Sequence, residues 1–91
     1  MPRTISKVLY SSRFEKNFSY LHPRIKQLAI KKDKLFRENP FHSSLETHKL
    51  GGKFSGTWAY SVNKDFRVNF YFLNDETIVV YANIGTHKIY K

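Results

Sequence analysis

The sequence predicts an α+β domain ordered β-α-α-β-β-β, and three observations carry that prediction. Residues 58–90, WAYSVNKDFRVNFYFLNDETIVVYANIGTHKIY, alternate apolar and polar side chains in several runs, the mark of half-buried antiparallel strands. Residues 12–37 instead repeat apolar side chains at three- and four-residue spacing, the mark of amphipathic helices. Ahead of both, residues 4–10 (TISKVLY) are β-branched and apolar enough for a strand. Helices that fall together in the chain pack on one face of such a sheet.

Length and composition bound the rest. Ninety-one residues make one small domain, residues 1–91, with one core. Eight Phe and six Tyr must supply much of its buried area. Cysteine is absent, which excludes disulfides and thiolate zinc sites and fits a reducing compartment. No run approaches the ~20 apolar residues of a membrane helix, so the expectation is a cytoplasmic protein with no membrane partner. The formal charge of +9 favours an acidic partner: nucleic acid, an acidic protein or anionic lipid.

The elements follow in order. Ser11 or Ser12 can cap a first helix, in which Phe14, Phe18 and Leu21 line one face. That helix should end near His22, because Pro23 disfavours a helical residue before it and itself suits a first helical position. A second helix carries Ile25, Leu28, Ala29, Leu35 and Phe36 on one stripe, with Lys26, Lys31, Lys34 and Arg37 largely outside it. Eight of the sixteen Lys and Arg residues lie between Arg13 and Arg37, as a solvated face or as contacts to RNA phosphates.

Asn39-Pro40 stops the second helix, and Gly51-Gly52 marks a turn in the connection that follows. Trp58, Tyr60 and Val62 then alternate with Ala59 and Ser61, and Asn63-Lys64 turns the chain. In the next strand Phe66, Val68, Phe70 and Phe72 share a face that should pack on the helices. Asp65, Arg67, Asn69 and Tyr71 share the other. Asn74-Asp75 is the expected hairpin turn. In the last strand, residues 77–84, Ile78, Val80, Ala82 and Ile84 alternate against Val79, Tyr81 and Asn83.

Several chemistries find no support in the residues. The four histidines form no i, i+4 pair and sit beside no carboxylate cluster, so no metal is expected. No glycine-rich phosphate loop calls for a nucleotide cofactor. What remains is a basic, aromatic chain with His, Asp, Arg and Tyr near one end of a sheet. These types suit RNA cleavage without a metal: a base for the ribose 2′-hydroxyl, a cation for the phosphate, an acid for the leaving 5′-oxygen. Aromatic rings can stack an unpaired base.

The ordered set His48-Lys49-Leu50, Gly56-x-Trp58, Asp65-Phe66-Arg67-Val68 and Gly85-Thr86-His87, with Asn39-Pro40-Phe41 after a basic helix, resembles the RelE/ParE superfamily of bacterial toxins, most of all its YafQ-type members. The resemblance covers about the last fifty residues by motif and nearly the whole chain in element order. It implies a RelE-like microbial RNase fold and the toxin of a type II toxin–antitoxin pair. Such toxins cut mRNA in the ribosome and are silenced by an acidic antitoxin. By that likeness His87, Arg67, Asp65, His48 and Tyr90 are candidate catalytic residues. His87 is general acid or base, with His48 or Asp65 as its complement. Arg67 holds the phosphate, and Tyr90 or Phe66 positions the base. Phe66, Lys49, Lys53 and Lys88 are candidate RNA contacts. The chain departs from the family where a second histidine falls at Ser61, a last-strand arginine at Asn83, and an Asp-Glu-Val-Tyr ending at Lys88-Ile89-Tyr90. The alternatives are a ParE-like DNA gyrase inhibitor and an RNA-binding relative without catalysis.

Overall fold

The computed structural model describes residues 4–73 and 76–90, with Tyr90 described by its backbone alone. The expected Asn74-Asp75 turn lies outside the described residues. The elements are β1 (Lys7–Tyr10), α1 (Ser12–Ser19), α2 (Pro23–Glu38), β2 (His48–Lys49), β3 (Trp58–Ser61), β4 (Phe66–Phe72) and β5 (Ile78–Thr86), with three short 3-10 turns at Ser43–Leu45, Gly52–Phe54 and His87–Tyr90. They build a five-stranded mixed sheet in the order β1-β5-β4-β3-β2, in which β1 runs parallel to β5 and the other neighbours are antiparallel. The α+β class and the three-strand meander are as the sequence predicts. The two-residue β2 on the far edge is an addition, too short for periodicity to reveal.

Helix boundaries follow from local capping. Ser11 Oγ accepts the Phe14 N–H at 3.0 Å and caps α1. α1 ends at Ser19, three residues short of the expected His22. His22 instead begins α2: its Nδ1 accepts the Arg24 N–H at 3.1 Å, and Pro23 takes the first helical position. At the other end Asn39 Oδ1 accepts the Phe41 N–H at 3.0 Å, turning the chain out of α2.

The core fills the space between α2 and the sheet. The Phe36 ring stacks on Tyr60 at 4.7 Å and meets Phe70 edge-on at 4.8 Å. Beneath it runs a polar chain that sequence reading missed. Tyr60 donates its hydroxyl to Tyr81 at 3.0 Å, and Tyr81 donates to Asp33 Oδ1 at 2.6 Å. Asp33 Oδ2 accepts from Arg37 Nε at 3.0 Å, and Arg37 Nη2 donates to the Tyr10 hydroxyl at 2.9 Å. Burial drives the Tyr60 and Tyr81 pKa values well above the ordinary phenol value.

One expectation fails in β5. Simple alternation puts Ile84 opposite in facing to Tyr81 and Val79, yet all three are buried. The β4–β5 register explains it: Asn69 pairs with Asn83, but Phe70 pairs with Tyr81, so Ala82 is an extra residue. One inserted residue reverses the alternation beyond it. The strand therefore delivers Val79, Tyr81 and Ile84 to the core. The bulge is also where α1 docks, because Ser11 donates its N–H to the Tyr81 carbonyl at 3.0 Å and its hydroxyl to the Ala82 carbonyl at 2.7 Å.

Candidate active site

The hairpin between β3 and β4 is built around Asn63. Its side-chain oxygen accepts the N–H groups of Asp65 and Phe66 at 2.9 and 2.8 Å, an Asx turn that fixes the start of β4. The hairpin closes with the Val62 N–H on the Phe66 carbonyl at 2.9 Å. Arg67 folds back on this turn: its Nη1 donates to the carbonyls of Asn63 (2.7 Å) and Phe66 (3.2 Å). Those two bonds orient the guanidinium and leave Nε and Nη2 as donors for an anion.

The β4–β5 register brings the second half of the site alongside. Phe66 pairs with Thr86 and Arg67 with Gly85. His87, one residue past the paired Thr86, and exposed Asp65, one residue before the paired Phe66, therefore lie at the same end of the sheet. His87 is itself exposed and opens the turn His87–Tyr90. That turn is seated by Gly85. A Cβ at position 85 would lie 2.6 Å from Ile89 Cγ2, so only glycine lets Ile89 close on the strand. The Lys88 N–H donates weakly to Thr86 Oγ1 at 3.4 Å.

The other candidates are placed differently. His48 pairs with Ala59, and Ala59 with Asn69, so His48 shares the Arg67 face but sits on the far edge strand. Two strands separate β2 from β5, a span of roughly 14 Å at the ordinary strand spacing. His48 Nδ1 lies 2.9 Å from the Glu46 carbonyl. A carbonyl only accepts, so the Nδ1 carries the proton and Nε2 holds the lone pair in neutral imidazole. Glu46 adopts a left-handed backbone (φ 52°), and its carboxylate accepts from Ser61 Oγ at 3.2 Å.

Lys49 pairs with Trp58, and its Nζ sits 5.5 Å over that ring, on the opposite face from His48. Lys53 belongs to the turn Gly52–Phe54 and lies over the Phe54 ring at 5.8 Å. Phe66 is half-buried against the core, on the helix side of β4 rather than the Arg67 side. The side chain of Tyr90 falls outside the described residues. The face around Arg67 is also less open than its polarity suggests: Asn69 and Ser61 are 5% and 6% exposed. Asn69 Nδ2 satisfies itself on Thr57 Oγ1 (3.1 Å) and the Trp58 carbonyl (3.0 Å). One end of the sheet thus carries exposed Asp65, His87 and Lys88 with half-exposed Arg67, and the far edge carries exposed His48 and Lys49. Among the described residues no group of three or more His, Asp or Glu is placed to hold a metal ion.

No family model matches the chain, and no curated protein matches it by sequence. Solved structures do. The YoeB/ParE toxin from Agrobacterium tumefaciens superposes with a TM-score of 0.76 at 12% identity, covering 89% of this chain and 98% of that one. YafQ from Escherichia coli strain BL21(DE3) gives 0.72 at 20% identity, with 91% and 94% covered. The RelBE2 toxin–antitoxin complex from Mycobacterium tuberculosis gives 0.74 at 17% identity, with 94% and 92% covered. At these identities the shared property is the fold.

Proposed function

We propose, from the premise of a RelE/ParE toxin fold, that this chain is the toxin of a type II toxin–antitoxin pair and an endoribonuclease that cuts mRNA in the ribosome. The observation that carries this reading is the register of β4 on β5. It pairs Phe66 with Thr86 and Arg67 with Gly85, and Asp65 and His87 each lie directly beyond that paired end; this supports a site in which one RNA linkage meets a carboxylate, a guanidinium and an imidazole.

The chemistry uses each group once. A base removes the 2′-hydroxyl proton as the 2′-oxygen attacks phosphorus. Arg67 donates Nε and Nη2 hydrogens to the phosphate oxygens as charge builds there. An acid delivers a proton to the departing 5′-oxygen. The products are a 2′,3′-cyclic phosphate and a 5′-hydroxyl, with no oxidation or reduction. His87 and Asp65 are the acid–base pair that the register favours, since imidazole serves either role near neutral pH. His48 sits on the edge strand with two strands between it and β5, which makes it the less favoured complement to His87. Side chains thus supply the three roles, and cleavage is expected to persist in a chelator.

The proposed partners follow from charge. A chain of +9 suits ribosomal and messenger RNA, and an acidic antitoxin segment suits the same charge when the toxin is silenced. The RelBE2 neighbour was itself solved as a toxin–antitoxin complex.

Mapping mRNA 5′ ends after induction tests the reading. Discrete cuts inside translated frames, ending in 5′-hydroxyls, are the expected result. DNA damage with intact mRNA would replace it with the gyrase-inhibitor reading. RNA binding with neither outcome would leave a non-catalytic relative.

A further inference from the structure

Beside the proposed catalytic end lies an open depression of about 580 Å³, walled by Arg13 and Lys16 of α1, by Lys88 and Ile89 of the terminal turn, and floored by Asn17 and Asn83. Three of these side chains are cationic and none of the lining residues is acidic. The floor is built rather than incidental. Asn17 Nδ2 donates to Asn83 Oδ1 at 2.6 Å, and the backbone N–H of Ile84 donates to the same oxygen at 2.9 Å. A backbone N–H only donates, which fixes the Asn83 amide with its oxygen toward the strand. Its Nδ2 hydrogens are then left for a ligand, and only an acceptor can use them.

We infer that this depression is a second phosphate subsite, binding the RNA backbone next to the linkage held by Arg67 and His87. Position matters as well as charge. Asn83 precedes Gly85, the partner of Arg67, by two residues on one strand, and Lys88 directly follows His87. A strand rises about 3.3 Å per residue, so Asn83 and Gly85 are roughly 6.6 Å apart. A strand of RNA leaving Arg67 along β5 passes over Asn83 before it meets α1. Here Arg13, Lys16 and Lys88 bring cations to that place from neighbouring elements, and the Asn17–Asn83 pair holds it open. Continuity with the catalytic end, and an amide donor beside a guanidinium, favour a phosphodiester over an acidic peptide. The inference rests on the nuclease reading for its location but not for its test.

The test uses the full-length protein and a single-stranded 2′-O-methyl RNA oligonucleotide, which lacks the nucleophile and stays uncut. Binding is followed by fluorescence anisotropy over a range of salt concentrations. The double variant Arg13→Gln/Lys16→Gln is expected to bind about 10-fold more weakly at low salt whatever the base sequence. Its log K against log[salt] slope should fall by about 0.7, one phosphate contact on a single strand. Asn83→Asp keeps the acceptor for Asn17 and Ile84 but replaces the free donor with an anion, and should weaken binding comparably. The control Lys31→Gln/Lys34→Gln removes the same charge from exposed positions of α2 and should change binding less than about 2-fold. Equal loss in the two double variants would overturn the subsite, since net charge alone would explain it. Unchanged binding in Arg13→Gln/Lys16→Gln would overturn it too. So would intact RNA binding with lost binding of poly-glutamate, which would make the depression a protein-docking surface. A protein that binds RNA here but leaves mRNA whole would sustain the subsite while removing the nuclease reading.

Discussion

On the helix side of the sheet, Tyr60, Tyr81, Asp33 and Arg37 answer one another's hydrogen bonds under a layer of aromatic rings. At the end where β4 meets β5, Asp65 and His87 stand exposed, and Arg67 is held by backbone carbonyls that leave part of its fork unused. Both regions are polar. In the first, buried Tyr60 and Tyr81 and half-exposed Asp33 and Arg37 spend their hydrogen bonds on one another, so these groups serve the fold; in the second, Arg67 is anchored by backbone carbonyls and the exposed groups remain available. The lesson is that the direction of unused donors separates structural polarity from chemical polarity here, and residue type does not.

If that contrast is right, substitutions at the open end should change cleavage and leave stability alone. His87→Ala is expected to have the largest effect, lowering cleavage by ~10²–10⁴-fold, the usual range for a lost acid or base. Its melting temperature should stay within about 1 °C of the parent, for an exposed side chain with no hydrogen bond among the described residues. Primer extension on a ribosome-bound message measures the first and calorimetry the second. Growth arrest of undiminished strength would remove His87 from the mechanism. Arg67→Ala should lower cleavage by ~10²-fold, the size of a lost oxyanion-type donor. A parental rate would mark Arg67 as a structural cap on its hairpin.

The hydrogen-bonded region under the rings should respond in the opposite sense. Tyr81→Phe strands Asp33 Oδ1 and the Tyr60 hydroxyl without their partner, at about 1–3 kcal/mol of stability. Denaturant unfolding measures this, and single-turnover cleavage should be unchanged; a fall in rate would show that the two regions are coupled. The same network predicts a pH dependence. Burial raises both phenol pKa values above the ordinary 10.0. The unfolded chain therefore loses these protons first. The stabilisation is complete below about pH 10 and declines as pH rises further. Thermal melts at pH 9 and pH 11 should diverge more for the parent than for Tyr81→Phe.

The smallest expected effect is the sharpest test of the register argument. His48→Ala should reduce cleavage less than ~10-fold, because His48 lies across β3 and β4 from His87. A loss as large as that of His87→Ala would mean that the sheet's polar face acts as one site from edge to edge.

Much of this architecture was legible in the residues. Period-two alternation in β4 marked Val68 and Phe70 as core and Arg67 as outward, because a strand has no other way to present successive side chains. Pro23 and Asn39-Pro40 bounded α2, because proline restricts the backbone around itself. The resemblance named Asp65, Arg67, His87, His48 and Tyr90 as one candidate group before any geometry was known. The failures have physical causes. β2 is two residues long and carries no period. The Ala82 bulge is invisible to alternation, because an inserted residue is defined only by what the neighbouring strand pairs with. The resemblance offered His48 as a catalytic candidate and Lys49 as an RNA contact, and only the pleat shows that the two lie on opposite faces.

The sequence alone determined the element types, the aromatic core and the set of residues able to handle a proton or a phosphate, since these depend on side-chain chemistry and local backbone preference. Tertiary structure decided which of those residues lie at the same end of the sheet. Strand register, the bulge and the closing of Ile89 onto Gly85 put Asp65, Arg67 and His87 at one end, moved His48 to the far edge and assembled three cations around Asn83. Distances between strands are set by hydrogen-bond pairing across the sheet, and no single stretch of chain contains that information.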